Sequence, residues 1–452
     1  MNISALSFTA AALLCAVACI DNLKAGTVDL GPDTDDPTPS EPAFKYPDSY
    51  TLNHPCAYVT GKDIDKVKAA VSKADGNDPV YAAWKTFEAN TYSSSRCHQS
   101  AVPVLVRGDI SGTGVSSENY ITACQAAASA FQQALRWRIT GDTSFADAAV
   151  SQLNEWASVC TKITANDNNQ YLLAGFQGCQ FANAAELLRD YPGWSAADQT
   201  KFKKWLMEVW YAKNHWFIST HGGSSTCNLH YWSNWELANI GSILAIGIYT
   251  DNAELITEAY KEFREGLGSG ALHNIVPYDP VADPNGHGMI AQSMESGRDQ
   301  GHATLVASLS AELCRMAENI GLDFWGMDDE RILAMFEYTA KYNCKPDGSF
   351  ICTSMPFTKY SYCTGCSCSS NSHGAVHTTI SADGRGKERA CWDLIVSHYG
   401  ENKAYYSSIF AEQLRYTKGV LTGDGGAGDT RYGTTSAAFD QIGWGTLLFY
   451  RK

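Results

Sequence analysis

From about residue 62 onward, apolar residues recur at helical spacing along most of this chain, and strand-like alternation is scarce. The pattern predicts helices over 63–73, 79–90, 117–140, 144–160, 171–190, 196–213, 230–249, 253–266, 299–319, 329–342, 388–399 and 402–415. It is clearest in Gln132-Gln-Ala-Leu-Arg-Trp-Arg138, Phe181-Ala-Asn-Ala-Ala-Glu-Leu-Leu188 and Leu237-Ala-Asn-Ile-Gly-Ser-Ile-Leu-Ala-Ile246. Asp142-Thr-Ser, Ser195-Ala-Ala-Asp and Thr250-Asp-Asn read as turn or cap signals between neighbouring helices. Short connections make consecutive helices antiparallel, and no strict repeat marks a consensus solenoid. The predicted fold is therefore predominantly all-α, an (α/α) toroid of about six to seven helical hairpins with inner helix ends around a cleft. Polar stretches at 218–229, 268–298, 343–387 and 418–437 are long for simple connections, and loops of that length usually carry function.

Composition adds an organisation to this picture. With 452 residues, 44% of them hydrophobic, the chain can bury a large core, and 49–452 reads as a single catalytic domain. Residues 1–19 look like an export signal: an apolar run too short to span a membrane ends in Ala16-Val-Ala-Cys19, without the usual positive charge near Met1. The Ala18-Cys19 step resembles a bacterial lipoprotein junction, which would place a lipid anchor at Cys19. Residues 20–48, with Asp33-Thr-Asp-Asp-Pro-Thr-Pro-Ser-Glu-Pro42, read as an acidic, Pro-rich tether. The expected location is thus secreted, periplasmic or on the outer surface.

Fifteen cysteines include Cys15 and Cys19 of the signal region. In an exported chain, Cys363, Cys366 and Cys368, with Cys344 and Cys352 upstream, read as a disulfide-stapled loop rather than a metal knuckle, because no Cys/His pair follows at finger spacing. No metal site is expected, since nothing like His-Glu-x-x-His occurs. A net charge of −14 argues against nucleic-acid binding and gives no long-range attraction to an anionic polymer. An acidic substrate would have to be held by a few local cations.

Polar chemistry concentrates in four segments. Glu295-Ser-Gly-Arg-Asp-Gln-Gly-His302 opens an apolar helix and, if helical throughout, sets Arg298 and His302 four residues apart on one face. A fixed cation beside a group that titrates near neutrality suits chemistry on an acidic substrate. His221 to Glu236 holds Asn228, His230, Tyr231, Asn234 and Trp235, with His230 and Asn234 another i, i+4 pair. Asn228 could equally cap the following helix, and Trp232 and Trp235 fit a core more readily than a sugar platform. Gln177 to Asn183 and the glycine-rich Asp424 to Gly433 complete the set. The last lacks the Lys-Ser/Thr ending of a phosphate loop. His373 and His377, in the Cys-rich stretch, rank below His230 and His302.

Several of these strings resemble the alginate-lyase-like polysaccharide lyases: Cys179-Gln180-Phe-Ala-Asn-Ala-Ala-Glu186, Asn228 to Asn239, Glu295 to His302, Gly384-Arg-Gly-Lys-Glu-Arg389-Ala-Cys-Trp392-Asp and Asp440-Gln-Ile-Gly-Trp-Gly-Thr446. The resemblance runs from roughly Tyr50 to Lys452. It implies an (α/α) toroid that cleaves a uronic-acid polymer by β-elimination, alginate first and glucuronan next. That reaction needs a neutralised C-5 carboxylate, a base for the C-5 proton and an acid for the departing O-4. Asn228, Asn234, Gln180 and Arg298 are the neutraliser candidates, and His230 and His302 the base and acid candidates. Trp235, Arg389 and Tyr432 are candidate substrate contacts. Related toroid alginate lyases carry a catalytic Tyr about two turns after the Arg, but here that region reads Ala303-Thr-Leu-Val306. Tyr231 or Tyr432 must supply the phenol, or His302 takes its place. The expectation is a monomer acting on an anionic polysaccharide without a cofactor. Two rivals remain: a toroid glycoside hydrolase using Glu295 and Asp299, and a non-catalytic glycan-binding lipoprotein.

Overall fold

The computed structural model describes residues 44–224, 227–361 and 376–451. The signal, the tether up to residue 43, Cys363, Cys366, Cys368 and His373 lie outside them. Residues 44–46 belong to a separate small unit, and Pro47–Lys452 form the main body.

The body is built of helices, in chain order α1 (Gly61–Lys73), α2 (Pro79–Ala89), α3 (Ile121–Thr140), α4 (Thr143–Val159), α5 (Asn169–Leu188), α6 (Ala196–Trp205), α7 (Ala212–Thr220), α8 (Ser233–Thr250), α9 (Ala253–Glu265), α10 (Leu272–Ile275), α11 (Gln300–Asn319), α12 (Met327–Asn343), α13 (Trp392–Tyr399), α14 (Tyr405–Arg415) and α15 (Gly445–Phe449). All twelve expected helices are present. The helix expected over 196–213 continues through a π-type turn, Leu206–Tyr211, into α7. The expected caps are made: Asp142 accepts from Ser144 N, Ser195 from Asp198 N, and Asn252 from Glu254 and Leu255 N. Each such cap contributes about 1 kcal/mol.

Helices α5 and α8 are buried on every face over nearly their whole length, whereas α1 and α9 bury one stripe. A helix apolar all round belongs inside and an amphipathic one outside. Packing follows that division. Inner helices α3, α5, α8 and α11 pack in sequence, and α13, α15 and α1 close the ring from α11 back to α3. Helices α4 and α9 lie outside α3 and α8. Four two-stranded sheets sit between helices: β1 (Val104–Val106) with β2 (Lys162–Thr164), β3 (Val281–Ala282) with β4 (Met289–Ile290), β5 (Tyr360–Ser361) with β6 (Val376–His377), and β7 (Tyr416–Thr417) with β8 (Val420–Leu421). No helix among the described residues is long and apolar enough to cross a membrane.

The ten described cysteines are all free thiols, Cys344 and Cys352 among them.

Buried carboxyls tie the ring together. Glu312 on α11 accepts from Ile442 N at 2.8 Å and Gly443 N at 3.2 Å, and Glu337 on α12 accepts from Tyr406 N at 2.7 Å and Ser407 N at 3.0 Å, which caps α14. Burial pushes both up to about 7, against the pull of these amides. A carboxyl whose folded pKa is raised contributes stability at low pH that is lost as pH climbs through the folded value. Unfolding free energy should therefore fall between about pH 5 and pH 8, by up to about 3 kcal/mol for each such group. Denaturant titrations of Glu312→Gln, which keeps the acceptor oxygen, should show a shallower fall. An unchanged slope would refute this account.

Candidate active site

Helix α8 begins at Ser233, later than its apolar pattern predicts, so His230 and Tyr231 precede it. Its N-cap residue, Trp232, has no oxygen to offer the first free amides, and no local side chain caps it. The cap comes from Glu295, 61 residues away in sequence: Oε1 accepts from Asn234 N at 2.9 Å, Asn234 Nδ2 at 2.8 Å and Ser233 Oγ at 3.2 Å. An anion here also answers the positive end of the helix dipole. Glu295 is fully buried, and its other oxygen receives Arg298 NH1 at 3.0 Å. A buried carboxylate persists only when paired and hydrogen-bonded, and this one has both.

Arg298 is held on three sides. Its guanidinium lies 4.8 Å above the Trp232 ring, NH1 reaches Glu295, and Nε sits 3.7 Å from Asp299 Oδ2. Among the described residues, NH2 makes no hydrogen bond, and about a quarter of the side chain is open to solvent. Asp299 is the N-cap of α11: Oδ1 accepts from His302 N at 2.9 Å, and Oδ2 meets His302 Nδ1 at 2.6 Å. Burial works to raise the Asp299 pKa, but the His302 contacts and the Arg298 charge hold it below the usual value. Arg298 thus stands outside α11, and it couples to His302 through Asp299 rather than by helical stacking. With Nδ1 held by Asp299, Nε2 is the ring nitrogen left over, on a side chain 37% exposed.

A second imidazole lies near Arg298. In the β5–β6 pair, His377 is registered opposite Tyr360, and its ring lies 5.9 Å from that of Trp232. It packs so close to Gly297 that a Cβ there would stand 2.5 Å from the His377 Cβ. In the sequence His377 lies in the Cys-rich stretch and ranks below His230 and His302.

Arg389, 4% exposed, has NH2 3.9 Å from Asp440 Oδ2. Burial raises the Asp440 pKa even though Arg389, Arg107, His302 and Lys387 all act to lower it. Gln180 is buried in α5 and donates to Phe439 O at 2.6 Å, leaving its Oε1 without a partner.

The other sequence candidates lie differently. Asn228 is exposed and does not cap α8. Tyr231 receives a hydrogen bond from Asn168 on its hydroxyl, and its ring packs 4.8 Å from both His230 and Trp235. Trp235 also stacks on Phe217. Tyr432 is 1% exposed and donates to Asp424 O inside the core, so it presents no phenol to a cleft. Among the described residues, the group with metal-ligand chemistry is His54, Cys56 and Glu186, whose ligand atoms lie within 4.8 Å of one another. There His54 bridges Glu186 and Asp251, and Arg189 pairs with both carboxylates. Asp251 is the C-cap of α8, which places this knot at the opposite end of that helix from Glu295.

The model of the family described as "Alginate lyase" matches residues 73–349. The chain belongs to that family. It is a polysaccharide lyase acting on alginate-like polymers. Among solved structures, an alginate lyase from Bacteroides ovatus superposes with a TM-score of 0.53 at 14% identity, over 82% of this chain and 100% of that one, and shares the fold. Alginate lyase A1-III from Sphingomonas species A1 matches with a TM-score of 0.44 at 16% identity, over 63% of this chain and 77% of that one. No curated protein sequence matches. Membership of a lyase family removes the hydrolase reading, and the geometry agrees: with both oxygens engaged inside the protein, Glu295 cannot flank a glycosidic bond.

Proposed function

We propose that Arg298 grips the C-5 carboxylate of a uronate in alginate and that His302 transfers a proton in the elimination. One observation carries this reading: a guanidinium fixed between two carboxylates and an indole, with NH2 unengaged, beside an imidazole anchored by one of the same carboxylates. Carboxylate neutralisation is what makes the C-5 proton acidic enough to remove. Asn234 is buried with its amide on Glu295, so in this reading it positions the clamp and does not contact the sugar. Arg389, Arg107 and Lys387 around Asp440 supply the local positive field that a chain of net charge −14 needs to hold a polyanion. His230, Tyr231, Asn228 and Trp235 line the approach to α8 and are secondary contacts. The chemistry calls for no cofactor. The first nineteen residues, ending in Ala16-Val-Ala-Cys19, and the Pro-rich tether fit an exported monomer anchored through Cys19.

The purified protein should be incubated with polymannuronate, polyguluronate, glucuronan and a neutral glucan. Elimination leaves a conjugated C4=C5 bond, so ultraviolet absorbance should rise on the alginate blocks and stay flat on the glucan. New reducing ends without absorbance would mean hydrolysis and would end the proposal.

A further inference from the structure

We propose that His377 is a second catalytic residue of the elimination, the base that takes the C-5 proton while His302 serves the departing O-4. This rests on Arg298 as the carboxylate clamp. The reaction moves one proton and one electron pair. The C-5–H bond breaks toward the base, its electrons form C4=C5, the C4–O4 bond breaks, and O-4 leaves with a proton from the acid. Two proton-transfer groups are therefore required, and the base must stand beside the clamp because C-5 is bonded directly to the carboxylate carbon.

His377 meets that requirement from a separate element. The β5–β6 pair lays it on Trp232, the residue whose ring also supports Arg298. Its backbone neighbour across the gap is Gly297, directly before Arg298 in the chain, and the missing side chain at 297 is what lets the strand approach so closely. Among the described residues, His377 Nε2 has no hydrogen-bond partner, and it is shut off from water. A buried polar nitrogen left bare costs free energy unless something is to bind it, and a neutral imidazole nitrogen is a lone-pair acceptor. The charged and titratable groups around the ring are Arg298 with Glu295 behind it on the turn, and Tyr360 on the paired strand. Burial lowers the ring's pKa, a hydrogen bond with the Gly297 backbone opposes this, and the Arg298 charge adds to it. The ring is accordingly neutral, ready to accept a proton, at pH 7.

The alternative is that His377 merely fills space in the small apolar cluster of Trp232, Met294 and Tyr360. His377→Phe keeps the packing and removes the nitrogen; His377→Gln keeps polarity without a titrating base. Both should lose roughly 100-fold or more in kcat on alginate, with KM changed only a few-fold and melting temperature near wild type. Wild-type kcat should fall on the acid side with a midpoint below 6.5, the ordinary imidazole value, and the residual activity of His377→Gln should lack that limb. Turnover of His377→Phe within a few-fold of wild type, or early melting of both variants, would overturn the proposal. Arg298→Lys assayed alongside separates the two ideas. If it is inactive while His377→Phe is active, only the role of His377 fails; if both are active, the clamp itself is wrong.

Discussion

Arg298→Lys is expected to lower turnover on alginate by roughly 10²–10³-fold, the scale of losing a preorganised donor to a developing oxyanion. The charge survives the substitution, so simple electrostatic attraction would predict a mild effect. What is lost is the plane. Arg298 reaches Glu295 with one edge, nears Asp299 with another and lies on the Trp232 ring, which fixes the direction of NH2, the group that the proposal gives to the substrate carboxylate. An ammonium can satisfy Glu295 or the substrate but cannot address both with parallel N–H bonds. Initial rates followed by ultraviolet absorbance decide the matter. Turnover within about fivefold of wild type in a folded Arg298→Lys protein would remove the clamp from the mechanism.

Glu295→Gln should damage both stability and activity. The carboxylate accepts from the backbone and amide of Asn234, from Ser233 and from Arg298, all in a water-free setting. A glutamine must turn its NH2 toward one of these donors, and it leaves Arg298 without its buried counter-charge. Breaking a buried pair by removing one partner costs about 3–5 kcal/mol, and we expect a denaturant-unfolding loss of that order. Activity should fall about 100-fold as well, because the guanidinium loses its anchor. A variant with wild-type stability would show that Glu295 is not the cap of α8.

Much of the architecture was legible in the chain. Helices with a one-sided apolar stripe, such as α1 and α9, declare themselves by periodicity, and the local caps at Asp142, Ser195 and Asn252 mark real boundaries. The segment around Arg298 and His302 stood out because polar residues are dense beside an apolar helix. What stayed hidden depends on residues far apart in sequence. The start of α8 was misplaced because its cap lies on another segment, so the His230–Asn234 pairing expected on one helical face does not form. Tyr432 looked available because its surroundings are glycine-rich, but those glycines allow tight packing: the left-handed turn at Gly425 abuts Asp429, and a Cβ on Gly428 would collide with Tyr92. His377 comes against Gly297 and Trp232 only once β5 and β6 pair and Gly297 admits the strand, and neither event leaves a mark in local spacing.

The double duty of Glu295 makes the axial position of α8 and the aim of Arg298 a single mechanical variable. Sliding that helix by one residue would move its first amides about 1.5 Å, more than a hydrogen bond tolerates, and would drag the carboxylate away from the guanidinium. Since α8 is packed on all sides by the ring, the interior of the toroid serves as the gauge block against which the clamp is set.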